Sequence, residues 1–359
     1  MNPTVKLLQA IGSPLAPDAL ERVPDDDEAP GLYAHARENK IGLLYLEALN
    51  KHGRLGGLQS EYDKGYFRYS ETVVTAARLS QVIGSMGVEH AIFKFIKPYP
   101  STPSDVDALF LGPINDYEEA VRGLLAGGYC KIGEAPHQVV VYDLRGGRDN
   151  IDVRTKDGKE GGIYYIDLYK EVGASHVIYM DKRKFRKAPT KANLNGNEFE
   201  TLKPETEVAI AIAHSMLPEQ LYTLADYYTT IHYLAASSRE GIDDLVSVIR
   251  ENNIVLAATC SLKIVASLHE AAHGFVPEQV LEALSRLTTK GPSWEKFGEN
   301  GFTMPYRCSM LTLSRFLLEK MRESAFRRSL ARQLMAMMDP RFGGRIVDDL
   351  IFRRKRETY

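Results

Sequence analysis

The chain predicts an α+β fold, in which a small mixed β-sheet with helices packed on it is flanked by helical N-terminal and C-terminal regions. Two observations carry this. Apolar residues recur every three or four positions at both ends of the chain but alternate or cluster in short runs between them. The middle runs are rich in β-branched and aromatic residues and are bounded by Gly, Pro or Asn.

Taken in order, ENKIGLLYLEALNKHG and YSETVVTAARLSQVIGSMG define a helical region over 1–87, with HGRLGGLQ as a loop between them. The acidic run Asp25 to Glu28 reads as a solvated loop. Over 88–190 the segments AIFKFI, DVDALFL, QVVVYDL and IYYIDLY read as strands. The amphipathic DYEEAVRGLLAGG lies between the second and third, and GGRDNIDVRTKDGKEGG reads as a hairpin. From 191 to 359 the pattern is helical again. PETEVAIAIAHSM, QLYTLADYYTTIHYLAASS and VLAATCSLKIVASLHEAAHG carry apolar stripes, as does SMLTLSRFLLEKMRESAFRRSLARQLMAMM. Several of these helices start after Pro and stop at Gly.

A net charge of -2 argues against nucleic acid as an obligatory partner on global grounds. No apolar run approaches the roughly 20 residues that span a bilayer, so no membrane partner is expected. The start has no charged segment leading into an apolar one, and Cys130, Cys260 and Cys308 are scattered and odd in number. Together these place the expected location in the reducing cytoplasm.

The segment KFIKPYPSTPSDVDALF carries the chemistry. Side chains alternate along a strand, so Asp105 and Asp107 project from one face, about 7 Å apart at the backbone. Two like charges that close repel unless a cation compensates them. An Asp-x-Asp also arises by chance, as Asp25 and Asp27 show. What raises this pair is a third carboxylate, Asp167, within the apolar run IYYIDLY, where an unpaired charge is costly. Three acids on adjacent strands suit a hard divalent ion, Mg²⁺ or Mn²⁺, and phosphoryl or nucleotidyl transfer.

The order Lys94, loop, Ser104-Asp105-Val106-Asp107, helix, Ile166-Asp167-Leu168 resembles the nucleotidyltransferase superfamily, of DNA polymerase β-like fold. The nearest likeness is to its branch known only as nucleotidyltransferase family proteins. Leu202-Lys203-Pro204-Glu205, His214 and Asp226 are similar to the opening of that branch's helical half. The resemblance implies that Asp105, Asp107 and Asp167 are catalytic in a two-metal site, with Asp105 and Asp107 holding both metal ions and Asp167 completing the second site and activating a hydroxyl that attacks a nucleoside triphosphate (NTP). It implies triphosphate contacts from Lys94, Lys97, Ser101, Thr102 and Ser104, and a base, ribose or acceptor contact from Asp226. The acceptor stays open among a small molecule, an RNA and a protein. One departure stands out. The superfamily places Gly-Gly or Gly-Ser just after the first strand, and this chain reads Phe93-Lys94-Phe95-Ile96. That departure supports an alternative, a catalytically inactive module of the same fold that binds nucleotide or RNA.

Two further motifs compete. His269-Glu270-Ala271-Ala272-His273 matches the zincin pattern, with two histidines on one helical face and Glu270 as general base; no third ligand is evident. The basic run Asp181 to Lys187 reads as a solvated loop or as a clamp for an anionic substrate, and the terminal FRRKRETY as surface or an RNA patch.

Overall fold

The computed structural model describes residues 2–16, 24–94, 97–103, 105–143, 165–185, 189–287, 297 and 301–338. Ser104, the segment expected to form a hairpin after Leu144 and the terminal FRRKRETY lie outside these residues. The first elements are α1 (Pro3–Ile11), α2 (Ala29–Glu38), α3 (Gly42–Lys51) and α4 (Gln59–Ser85). They are followed by β1 (His90–Phe93), β2 (Asp105–Phe110), α5 (Ile114–Ala126), β3 (Tyr129–Ala135) and β4 (Gln138–Asp143). Next come β5 (Tyr165–Tyr169), β6 (Val172–Ala174), β7 (Val177–Met180), β8 (Thr190–Leu194) and β9 (Asn197–Thr201). The rest is helical: α6 (Pro204–Met216), α7 (Leu224–Ala236), α8 (Arg239–Glu251), α9 (Val255–His273), α10 (Glu278–Leu287), α11 (Met310–Lys320) and α12 (Ser324–Met337).

These elements gather into two compact units that interleave along the chain. One comprises Met1–Glu71, Ile96–Thr102 and Leu202–Glu319, and is helical. Its helices begin where local chemistry satisfies their free N–H groups. Asn2 accepts from the Thr4 N–H ahead of Pro3 in α1, and Pro204 opens α6. At the start of α7, Thr223 and Asp226 form a reciprocal capping box. The centre of this unit is α9, packed by α1, α6, α7 and α10. Leu262, Val265 and Leu268 are fully buried there. By length and composition α9 is apolar enough to cross a membrane, yet 56% of that apolar stretch is buried inside the protein, as suits a core helix.

The other unit comprises Thr72–Phe95, Pro103–Thr201 and Lys320–Tyr359. It is built on a seven-stranded sheet ordered β3-β4-β5-β2-β1-β9-β8 and a two-stranded sheet of β6 and β7. The pairs β2/β5 and β1/β9 are parallel and the others antiparallel. The strand, loop, strand, helix, strand order read from the sequence is therefore present. Two expectations change. The sheet runs past residue 190 to Thr201, because β8 and β9 form a hairpin about Asn195-Gly196, both at positive φ. The long C-terminal apolar stripe is broken into α11 and α12. At the break, the fully buried Lys320 ammonium donates to Glu323 at 2.8 Å, and Lys184 Nζ stands 3.4 Å from the same carboxylate oxygen.

Packing holds the carboxylate-bearing strands rigidly. In β2, Val106, Ala108, Leu109 and Phe110 are fully buried. The Tyr117 hydroxyl of α5 donates to the Leu168 carbonyl at 3.2 Å, and its ring meets Phe110 edge to face at 5.1 Å. Along β7, α12 packs with Ser329 Oγ accepting from the Ile178 N–H at 3.0 Å.

Candidate functional site

The parallel register of β2 and β5 sets Asp107 directly opposite Asp167, and Asp105 lies two residues earlier on the same face of β2. One carboxylate oxygen from each comes within 4.8 Å of the others. The three acids read from the sequence are thus brought together on neighbouring strands.

Their surroundings differ. Asp105 is half-buried at the strand entry, whereas Asp107 is 6% exposed and Asp167 is buried. Gln138 Nε2, on β4, donates to Asp167 Oδ2 at 3.0 Å, and the Tyr169 hydroxyl lies 3.4 Å from the same oxygen. Asp107 Oδ2 is 3.1 Å from Lys94 Nζ. Its other oxygen, Oδ1, is buried and meets no hydrogen-bond donor among the described residues.

The electrostatics reflect this crowding. Burial, then the Asp105 charge, pushes the Asp167 carboxyl up to about 6. Burial also pushes Asp107 well above the usual carboxylate range, and the Asp105 and Asp167 charges add to it against relief from Lys94. Lys94 is desolvated too, but the adjacent Asp107 carboxylate holds it protonated, well above the ordinary lysine value. Its ammonium also lies 4.1 Å from the Tyr169 ring centroid and 4.8 Å from that of Phe93.

Lys94 sits in the turn that directly follows β1. Its φ is 61°, a left-handed setting that costs a non-glycine residue roughly 1–2 kcal/mol. This turn after β1 places a cation against Asp107.

A divalent cation fits this donor set. All three ligands are hard oxygens, a buried oxygen of Asp107 lacks a donor, and three ionised carboxylates against one ammonium leave a formal charge of -3 + 1 = -2. Gln138 and Tyr169 were not anticipated as parts of the site. The signal was periodicity: Tyr169 is two residues from Asp167 on the same face, and Gln138 is a polar residue opening the apolar run QVVVYD.

The other sequence candidates have local partners of their own. Lys97, Ser101 and Thr102 are half-buried and belong with the helical unit. Burial pulls the Lys97 ammonium below the ordinary lysine range, against the Asp226 and Glu207 charges. Asp226 Oδ2 accepts from both the N–H and the hydroxyl of Thr223 at 2.8 Å, so this carboxylate caps α7. His214 pairs with Glu219 at 3.4 Å. In the basic run, Lys182 donates to the carbonyls of Phe110 and Gly112, and Arg183 pairs with Asp181 at 2.8 Å. The zincin motif gathers no group of three metal-ligating side chains among the described residues. His269 is fully buried, with Nε2 3.0 Å from Ser13 Oγ and Nδ1 2.9 Å from the Phe275 carbonyl.

No family model matches the chain, and no curated protein matches it in sequence. In structure it is similar to an antigenic nucleotidyltransferase-like protein from Paracoccidioides brasiliensis. The TM-score is 0.30 at 14% identity, over 58% of this chain and 94% of that one. A likeness that slight carries no functional argument.

Proposed function

We propose that this protein transfers a nucleoside monophosphate from an NTP to a hydroxyl acceptor with release of pyrophosphate, using Mg²⁺ or Mn²⁺. The observation that supports it is the convergence of Asp105, Asp107 and Asp167 within 4.8 Å on a rigid sheet, with a buried Asp107 oxygen lacking a donor. Those three residues would hold the cation. When bound, it supplies Lewis-acid polarisation of phosphoryl oxygens and compensates the charge of the triphosphate.

The chain's own groups supply the rest. Asp167 would accept the proton of the attacking hydroxyl. The acceptor oxygen then bonds to the α-phosphorus as the bond to the bridging oxygen breaks, and that electron pair leaves with pyrophosphate. Gln138 and Tyr169 orient the Asp167 carboxylate through Oδ2. The acceptor belongs to one of three classes, a small molecule, an RNA or a protein.

A second reading, a nucleotide- or RNA-binding module without chemistry, draws support from the missing Gly-Gly or Gly-Ser and from Lys94, whose ammonium pairs with the Asp107 carboxylate. One assay separates the two. The protein is incubated with each labelled NTP, Mg²⁺ and fractionated cell extract. Asp105→Asn is the cleaner control, because Asp107→Asn would strand the buried Lys94 charge. The enzyme reading expects label on an acceptor and pyrophosphate release, both lost in Asp105→Asn. Nucleotide binding without pyrophosphate release in any fraction would leave the binding module.

A further inference from the structure

We propose that the Lys94 ammonium takes the place of one divalent cation, so that Asp105, Asp107 and Asp167 bind a single metal ion rather than a pair. The proposal rests on the reading of the three carboxylates as a metal site.

Three observations converge on it. First, position: Lys94 Nζ is 3.1 Å from Asp107 Oδ2, so one oxygen of the most buried of the three acids is already occupied by a cation, while Oδ1 is left without a donor. A single divalent ion meeting Oδ1 completes Asp107 without displacing the lysine. Second, charge: the three carboxylates and the ammonium sum to -2, which one divalent ion neutralises, whereas two such ions would leave +2 beside a buried ammonium. Third, confinement: the lysine is fixed. Its side chain is 14% exposed, its backbone holds the left-handed turn after β1, and its ammonium lies against the rings of Tyr169 and Phe93. A tethered cation held this way does not dissociate, and its withdrawal would leave the Asp107 carboxylate buried and uncompensated.

The consequence is a division of labour. Asp105, Asp107 and Asp167 would hold the metal ion, and the lysine supplies fixed positive charge at Asp107 Oδ2. Lys94 acts through Asp107 and is a positioning residue for the metal.

The test is Mn²⁺ titration of the full chain, read by electron paramagnetic resonance of free Mn²⁺ and by calorimetry. The wild type is compared with Lys94→Met, which keeps length and removes charge, and with Lys94→Arg, which keeps charge. The expected result is one Mn²⁺ per chain for wild type and Lys94→Arg. Lys94→Met is expected to bind two, or to bind one at least tenfold more tightly. Thermal melting provides a second readout: Mn²⁺ should raise the Tm of Lys94→Met more than that of wild type. If Lys94→Met folds only when refolded with Mn²⁺, that dependence supports the proposal; failure to fold even then overturns it. Two Mn²⁺ ions in wild type, or a Lys94→Met titration and Tm shift identical to wild type, overturn the proposal while leaving the metal site standing. Absence of Mn²⁺ binding in all three proteins overturns both.

Discussion

Gln138 and Tyr169 illustrate how much of a carboxylate's behaviour is set by what touches it. Both bear on Asp167 Oδ2, so the carboxylate plane is fixed before any ligand arrives. Gln138→Leu, which removes one donor at similar volume, is expected to lower nucleotidyl transfer about 10–100-fold with little change in melting temperature; full activity in that variant would show that Asp167 needs no such support. The three acids were legible in the sequence, because a period of two places Asp105 and Asp107 on one face and an acid inside an apolar strand demands compensation. The compensation itself was not. A lysine at a strand end is ordinarily a surface residue, and only the antiparallel pairing of β1 with β2, which sets Phe93 opposite Asp107, brings Lys94 against that carboxylate. Asp226 was legible only as an acid near a helix start; its carboxylate accepts from the Thr223 N–H in the capping box and also from the Thr223 hydroxyl.

Among elements, those with strong periodicity were legible and those stabilised by pairing were not. The apolar strands β2, β4 and β5 declare themselves through Val, Ile and Tyr. The β8–β9 hairpin does not, since residues such as Lys191, Asn193 and Glu198 offer no apolar face; the Asn-Gly turn was its signal. The break between α11 and α12 was hidden for another reason. The apolar stripe continues through it, no Gly or Pro marks the break, and the buried Lys320–Glu323 pair sits there. Because Lys320 is fully buried, Glu323→Gln should destabilise the protein by about 3–5 kcal/mol, measured as a shift in urea unfolding. A loss below about 1 kcal/mol would mean that water reaches this ammonium on small fluctuations.

For the whole molecule, the chain order of helix, sheet and helix was legible, but the grouping was not. Contacts join Met1–Glu71 with Leu202–Glu319 although the sheet-forming sequence separates them, and long-range packing of that kind leaves no local trace. The helical unit also carries an acid sensitivity that stems from its core. Burial, then the neighbouring His269, lowers the His273 imidazole to about 4. The unfolded chain takes up that proton at about 6.5, so between these values the unfolded state binds more protons. This contribution to stability is complete above about pH 6.5 and is lost as pH falls through 4. Urea unfolding across that range should show a stability loss that His273→Gln reduces; identical pH profiles would exclude His273 as a source.

The Asn195-Gly196 turn has a practical use. It is exposed at the tip of the edge hairpin, and β8 is separated from β2 by β9 and β1. A loop tip of this kind tolerates inserted residues. A short peptide tag placed there would allow capture of the protein with the acidic cluster left in its native register.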